Sequence, residues 1–360
     1  MKKLLCLVCV LGLLLCGCTG AATDPTEPAT TVPTTTLPPT EPPTEPPTTE
    51  PPTEPPTTEP PVIYTNPLNG EELSEPYTGR IFASTINNIS PALPYIGVSH
   101  ADMLFEMLIN DYATRCVALF SNIQSVPVIG SVRSSRMNFV DICQAYDAIL
   151  GHAGYGNGVQ SALNNRGVNH IHLGNVAGYR DQGRLNSGYA LEHTLVVNGQ
   201  TFFDTAVKNG FDVVQPEDKD YGLTFTADGT PENGEAASEL HVSFWGKMSH
   251  FYFNEETGTY DFYLHGDYVT DETNGQRISF ENVIVMQCYV YNDYVYHIAE
   301  LNGSGNGYYA CNGQIIPIQW HHESQDAPFT FTLADGTPLE LGVGKTYVAF
   351  APSESTFEYQ

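Results

Sequence analysis

Thr114-Arg-Cys-Val-Ala-Leu-Phe120, Ser134-Ser-Arg-Met-Asn-Phe-Val-Asp-Ile142 and Ala148-Ile-Leu-Gly-His152 follow one another along the chain. The first and third are short apolar runs, as expected of strands buried on both faces. The second opens with serines suited to a helix N-cap, then sets Phe139, Val140, Ile142 and Tyr146 at helical spacing. Strand, helix, strand in that order argues for a layered α/β domain. Working outward, Arg80 to Ile86 reads as an earlier strand. Ser99 is expected to cap a helix through Ala101, Met103, Leu104, Met107 and Leu108, with Asp102 in its first turn. Downstream, residues 157–165 read as a helix, Asn169 to Leu173 as a fourth strand, and Gln200 to Asn209 as a helix stopped by Gly210.

The texture changes after about Pro231. His241 to Trp245, Phe251 to Phe253 and Tyr260 to Leu264 read as strands. So do the segments 282–291, 294–301, 307–320, 329–333 and 345–350, punctuated by Asn312-Gly313 and Asp335-Gly336. The fold expected is an N-terminal α/β layered domain, 62–230, followed by an antiparallel all-β C-terminal domain, 235–355.

The N-terminus is of another kind. Met1-Lys2-Lys3 is basic, Leu4 to Leu15 is apolar, and Leu15-Cys16-Gly17-Cys18 has the lipobox pattern. The apolar run is too short to span a bilayer and fits a signal peptide, 1–17. Cys18 would then carry the lipid and hold the protein to the extracellular face of the cell membrane. Residues 18–61 are almost wholly Thr, Pro and Glu, cannot bury a core, and read as a disordered, extended linker. Of eight cysteines, Cys116, Cys143, Cys288 and Cys311 lie in the folded part. Cys116–Cys143 and Cys288–Cys311 bridges compete there with buried free thiols. The formal net charge of -27 excludes a general nucleic-acid binder.

The order of certain residues resembles a known family. Ile86-Asn87-Asn88, Gly97, Ala101-Asp102, Glu106, Thr114-Arg115, Ile129-Gly130, Arg133-Ser134-Ser135-Arg136, His152-Ala-Gly154, Tyr179-Arg180-Asp181 and His193 fall as in the YerB-like lipoproteins of Gram-positive bacteria, built from a domain of unknown function numbered 3048. Gly303, Gly305, Asn312-Gly313, Trp320, Asp335-Gly336 and Gly344 to Tyr347 look like its β-rich second half. The resemblance covers nearly all of the chain beyond Asn66. It implies an envelope location and this architecture, and no particular activity.

Charge segregation is the sharpest chemical signal. Lysine is absent from Leu4 through Val207, yet six of eight arginines lie between Arg115 and Arg184. Only Asp141, Asp147 and Asp181 oppose them in that span. Guanidinium forks suit carboxylate or phosphate, and a loop-to-helix junction adds free backbone N–H groups. Arg115, Arg133, Ser134, Arg136 and Arg180 are therefore candidate ligand-binding residues for an anionic wall polymer or an envelope protein. The competing reading pairs these arginines with domain acids such as Asp102 and Glu106. A second functional class, a wall-polymer hydrolase or transferase, would use Asp102 and Glu106, taken as i, i+4 on one helix, with His152 and His193. His170-Ile-His172 with His152 or His193 is a weak zinc pattern, so neither metal nor cofactor is assigned. The aromatic surplus of the β domain, Tyr289, Tyr291, Tyr294, Tyr296, Tyr308, Tyr309 and Trp320, could stack on glycan, against the commoner role of sheet packing.

Overall fold

A computed structural model describes residues 62–111, 113–216 and 219–360; the expected signal peptide, Cys18 lipidation site and Pro/Thr/Glu linker lie outside the described residues. At its centre are β1 (Phe82–Asn88), β2 (Met103–Asn110) and β3 (Ala113–Phe120). Then come α1 (Met137–Ala145), β4 (Ile149–His152), α2 (Val159–Asn165), β5 (His170–His172) and α3 (Gly199–Lys208). This half is mixed α/β. The rest is β: β6 (Glu239–Phe244), β7 (Lys247–Asn254), β8 (Thr259–Leu264), β9 (Asn282–Cys288), β10 (Val290–Asp293), β11 (Tyr296–Ala299), β12 (Gly303–Cys311), β13 (Gln314–His322) and β14 (Thr346–Pro352). Among the described residues no helix is long and apolar enough to cross a membrane.

One sheet runs through both halves in the order β13-β12-β9-β14-β2-β3-β1-β4-β5. Strand β14 joins them, lying parallel to β9 on one side and to β2 on the other. A smaller antiparallel sheet, β8-β7-β6, is extended by Phe357–Tyr359 at its β6 edge. The large sheet is covered on both faces. Phe139, Val140 and Ile142 of α1 pack with Phe105, Val117, Ile284 and Phe350 on one face. Phe202 of α3 and Leu240, Phe251 and Phe262 of the small sheet pack with Leu104, Cys116, Val283 and Tyr347 on the other.

The helix expected from Ser99 through Leu108 is instead a 3-10 turn, Val98–His100, leading into strand β2. Met103, Phe105 and Met107 enter one core and Leu104 and Leu108 the other. A strand buried on both faces is apolar at nearly every position, so its pattern also satisfies helical spacing. Pairing with β3 and β14 overrides the helical preference of Met and Leu. Asp102 and Glu106 consequently share no helix face.

The four cysteines are buried and free. Cys116 and Cys143 lie in cores on opposite faces of the sheet. Cys311 pairs across from Asn282, six residues along β9 from Cys288, roughly 20 Å at strand rise and beyond disulfide reach.

Candidate anion-binding site

Strands β1, β4 and β5 run parallel. Their carboxyl ends fall at one edge, beside the amino end of the antiparallel β3, where Asn87 faces Arg115. Ligands of open α/β sheets bind outside such carboxyl ends. The segment from Ser131 to Arg136 crosses this edge. Asn87 N donates to Ser131 O at 3.1 Å, Ala153 N to Arg133 O at 2.9 Å, and Ser135 N to Gly154 O at 2.9 Å. The Thr85 hydroxyl donates to Arg133 O. Gly154 has φ 139°, and a Cβ there would come within 3.1 Å of Ser134 Oγ, so this close approach calls for glycine. Helix α1 starts next. Arg136 holds its N-cap position without a side-chain cap, and the first N–H groups of a helix lack intrahelical partners and carry partial positive charge.

Guanidinium groups gather around this junction. Arg115 is only 4% exposed and donates through Nη1 to Ser134 O at 2.8 Å. Arg136 Nη1 donates to Ser135 O at 2.9 Å, and its guanidinium lies 4.2 Å from the centre of the Tyr296 ring. Arg133 Nη1 donates to Glu192 O at 3.1 Å and Arg180 Nη1 to Leu191 O at 2.6 Å. Burial pushes the Arg115 pKa well down, and the charges of Arg136 and Arg133 push the same way. Arg133 is lowered by burial and then by Arg180, against the pull of Glu192. Arg136 is lowered by burial and by Arg133. These cations repel one another in a partly dry setting.

None of the four makes an ion pair among the described residues, whereas Arg80, Arg166, Arg184 and Arg277 pair with Asp147, Asp141, Glu272 and Asp261. The Nε atoms of Arg115, Arg133 and Arg136 are buried with no hydrogen-bond partner. Buried donors left unpaired are few in native proteins, and an ion or water is a usual reason. The salt-bridge reading thus holds for Arg166 and Arg184 and fails for Arg115, Arg133, Arg136 and Arg180.

The histidines divide. His193 Nδ1 accepts from Asn87 Nδ2 at 2.9 Å, which leaves the proton of the neutral ring on Nε2. Burial, then Arg133 and Arg184, lower its pKa against Glu192, so it borders the arginine cluster. His152 ends β4 and leads into the Gly154 turn. Its Nε2 meets His170 Nδ1 at 3.1 Å, and its ring centre is 4.7 Å from that of Tyr155. His152, His170 and His172 form an imidazole cluster, but no group of ligands among the described residues is arranged to hold a metal ion.

Asp102 and Glu106 stand elsewhere. Asp102 accepts from Asn66 at 3.0 Å, Asn69 at 2.8 Å and Ser121 N at 2.6 Å; burial raises its pKa. Glu106 is fully buried. It pairs with Lys247 and accepts from Asn88 at 2.9 Å, Thr114 at 2.5 Å, Ser249 at 2.9 Å and Tyr347 at 2.8 Å. The residue opposite Glu106 is Cys116, one position from Arg115, so the pleat sends Glu106 and Arg115 to opposite faces. The four residues of the acid–histidine set are not brought together.

Two contributors escape a sequence reading. Asn87 is recognisable only as part of an Asn-Asn pair ending an apolar strand. Tyr296 belongs to an aromatic-rich segment, but its contact with Arg136 spans the two halves and has no local signal.

Fold and site define a two-part protein: a mixed α/β half carrying a guanidinium cluster, and a β half bound to it by a shared sheet. Family models match both parts, "Protein of unknown function (DUF3048) N-terminal domain" over residues 68–212 and "Protein of unknown function (DUF3048) C-terminal domain" over 240–348. The chain belongs to this DUF3048 family. It is 22% identical over 292 residues to "Putative lipoprotein YerB" of Bacillus subtilis (strain 168), covering 79% of this chain and 86% of that protein. A crystal structure of YerB protein from Bacillus subtilis has the same fold, with a TM-score of 0.71 at 20% identity, covering 82% of this chain and 99% of that one.

Proposed function

We propose that this protein is an extracytoplasmic lipoprotein, anchored through Cys18, that binds an anionic component of the cell envelope at Arg115, Arg133, Arg136 and Arg180. The observation that carries the reading is four clustered guanidinium groups that make no ion pair among the described residues, three of them with a buried, unpaired Nε. The lipobox sequence and the printed name of the Bacillus subtilis relative support the anchor and the location. An anion at the amino end of α1 would relieve the mutual repulsion of the arginines and gain charge-assisted hydrogen bonds. Ser134 stands at the same junction and can add a hydroxyl donor.

The test is calorimetric titration of the full chain in detergent with inorganic phosphate at rising salt. Binding should weaken with salt, and Arg133→Ala/Arg180→Ala should reduce affinity about tenfold or more, as expected for loss of charged hydrogen bonds. Equal binding by variant and wild type would overturn the assignment.

A further inference from the structure

The arginine cluster continues into a second surface. The β10–β11 hairpin pairs Tyr291 with Ile298 and Asp293 with Tyr296. Directly opposed residues share a face, so Tyr291 lies on the same side as the Tyr296 ring that Arg136 covers. On the other side His297 and Ala299 are buried, while Asn292 is exposed. At the hairpin tip Tyr294 is 90% exposed and Val295 is 68% exposed. A cleft of about 500 Å³ opens there, lined by Asn110, Asp111, Ala113, Asn292, Tyr294 and Val295. Ala113 is two residues, roughly 7 Å, from Arg115 along β3. The cleft and the guanidinium cluster are thus linked along β3.

The lining of this cleft holds no cation, unlike its neighbour. Its charged residue, Asp111, pairs with His297 at 2.6 Å. A uniformly charged polyanion would gain at the arginines but suffer here, where the lining offers a carboxylate and no cation. An uncharged sugar ring would not: its apolar face can lie on exposed tyrosine while its hydroxyls meet the Asp and Asn side chains. Resting on the anion-site reading above, we infer that the ligand is a glycan in which uncharged and anion-bearing pyranoses alternate. Its charged residue sits at Arg115, Arg133 and Arg136, and its uncharged neighbour lies in the Tyr294 cleft.

The experiment titrates the full chain in detergent with three probes: inorganic phosphate, an oligosaccharide alternating N-acetylglucosamine with N-acetylmuramic acid, and polygalacturonate of matched length. The alternating oligosaccharide should bind more tightly than either of the others. Tyr294→Ala, at an exposed position of the cleft, should weaken that oligosaccharide about tenfold and leave phosphate unchanged, while Arg133→Ala should weaken both. If the tyrosine variant binds the oligosaccharide like wild type, or polygalacturonate binds best, the sugar subsite is overturned while phosphate binding keeps the arginine site standing. If wild type binds none of the three, the arginine site fails and the subsite with it.

Discussion

Arg115 reaches Ser134 and His152 reaches Gly154, in two segments joined by the bond from Ser135 N to Gly154 O. Arg115 is buried, shares its Nη1 with Ser134 O and keeps an unpaired Nε; its charge is tolerated through backbone dipoles alone, which is a costly arrangement without an anion. His152, two residues before Gly154, is pushed in the same direction and gives up its charge. Burial first, then His170 and His172, push its pKa from 6.5 to about 3. Between those values the unfolded chain takes up a proton that the folded ring refuses, so stability falls as pH drops through that window, by at most about 1.4 kcal/mol per pH unit for one group. His152→Gln should therefore lose less stability than wild type between about pH 7 and about pH 5, on the order of 1 kcal/mol less, measured by thermal or urea denaturation. Identical pH slopes would show that His152 is not the group responsible. At this scale the sequence was informative about the arginines, because their excess over local acids is visible in one dimension. It was silent on which of them find partners: Arg166 meets Asp141 and Arg184 meets Glu272 only after folding.

Among the elements, β2 is the instructive case. Its sequence fits a helix as well as a strand, and only its position between β3 and β14 decides. The strand places Glu106 under the small sheet, where β7 supplies Lys247 and Ser249. This buried pair fastens β7 of the second half to β2 of the first. Removing one partner leaves a buried charge without compensation, so Lys247→Met should cost about 3–5 kcal/mol, and Glu106→Gln/Lys247→Met together should cost less than Lys247→Met alone. Urea denaturation of the three proteins measures both terms; a double variant no better than the single would mean the pair adds no coupling. The strand–helix–strand run from β3 through α1 to β4 was legible because each run has one dominant period. The short pairings at Ile129–Gly130 and Tyr179–Arg180 were not, since two residues carry no period.

Across the whole molecule, an α/β half precedes a β half, as the sequence texture leads one to expect, yet the halves share one sheet. Strand β14, near the chain's end, pairs parallel with β2 over Met103 to Met107. No local pattern announces so distant a pairing, and it is what brings the β10–β11 hairpin, with Tyr296, to stack on Arg136. The proposed binding surface is thus a product of both halves. On the proposed function, this surface binds a wall polymer without cleaving it. The most direct measurement incubates the full chain in detergent with purified wall sacculi, beside Arg133→Ala/Arg136→Ala, and analyses the supernatant for released fragments by mass spectrometry. Wild type should sediment with the sacculi, the variant should stay largely in solution, and no fragments should be released. Fragments released by wild type, or sedimentation unchanged in the variant, would contradict the account.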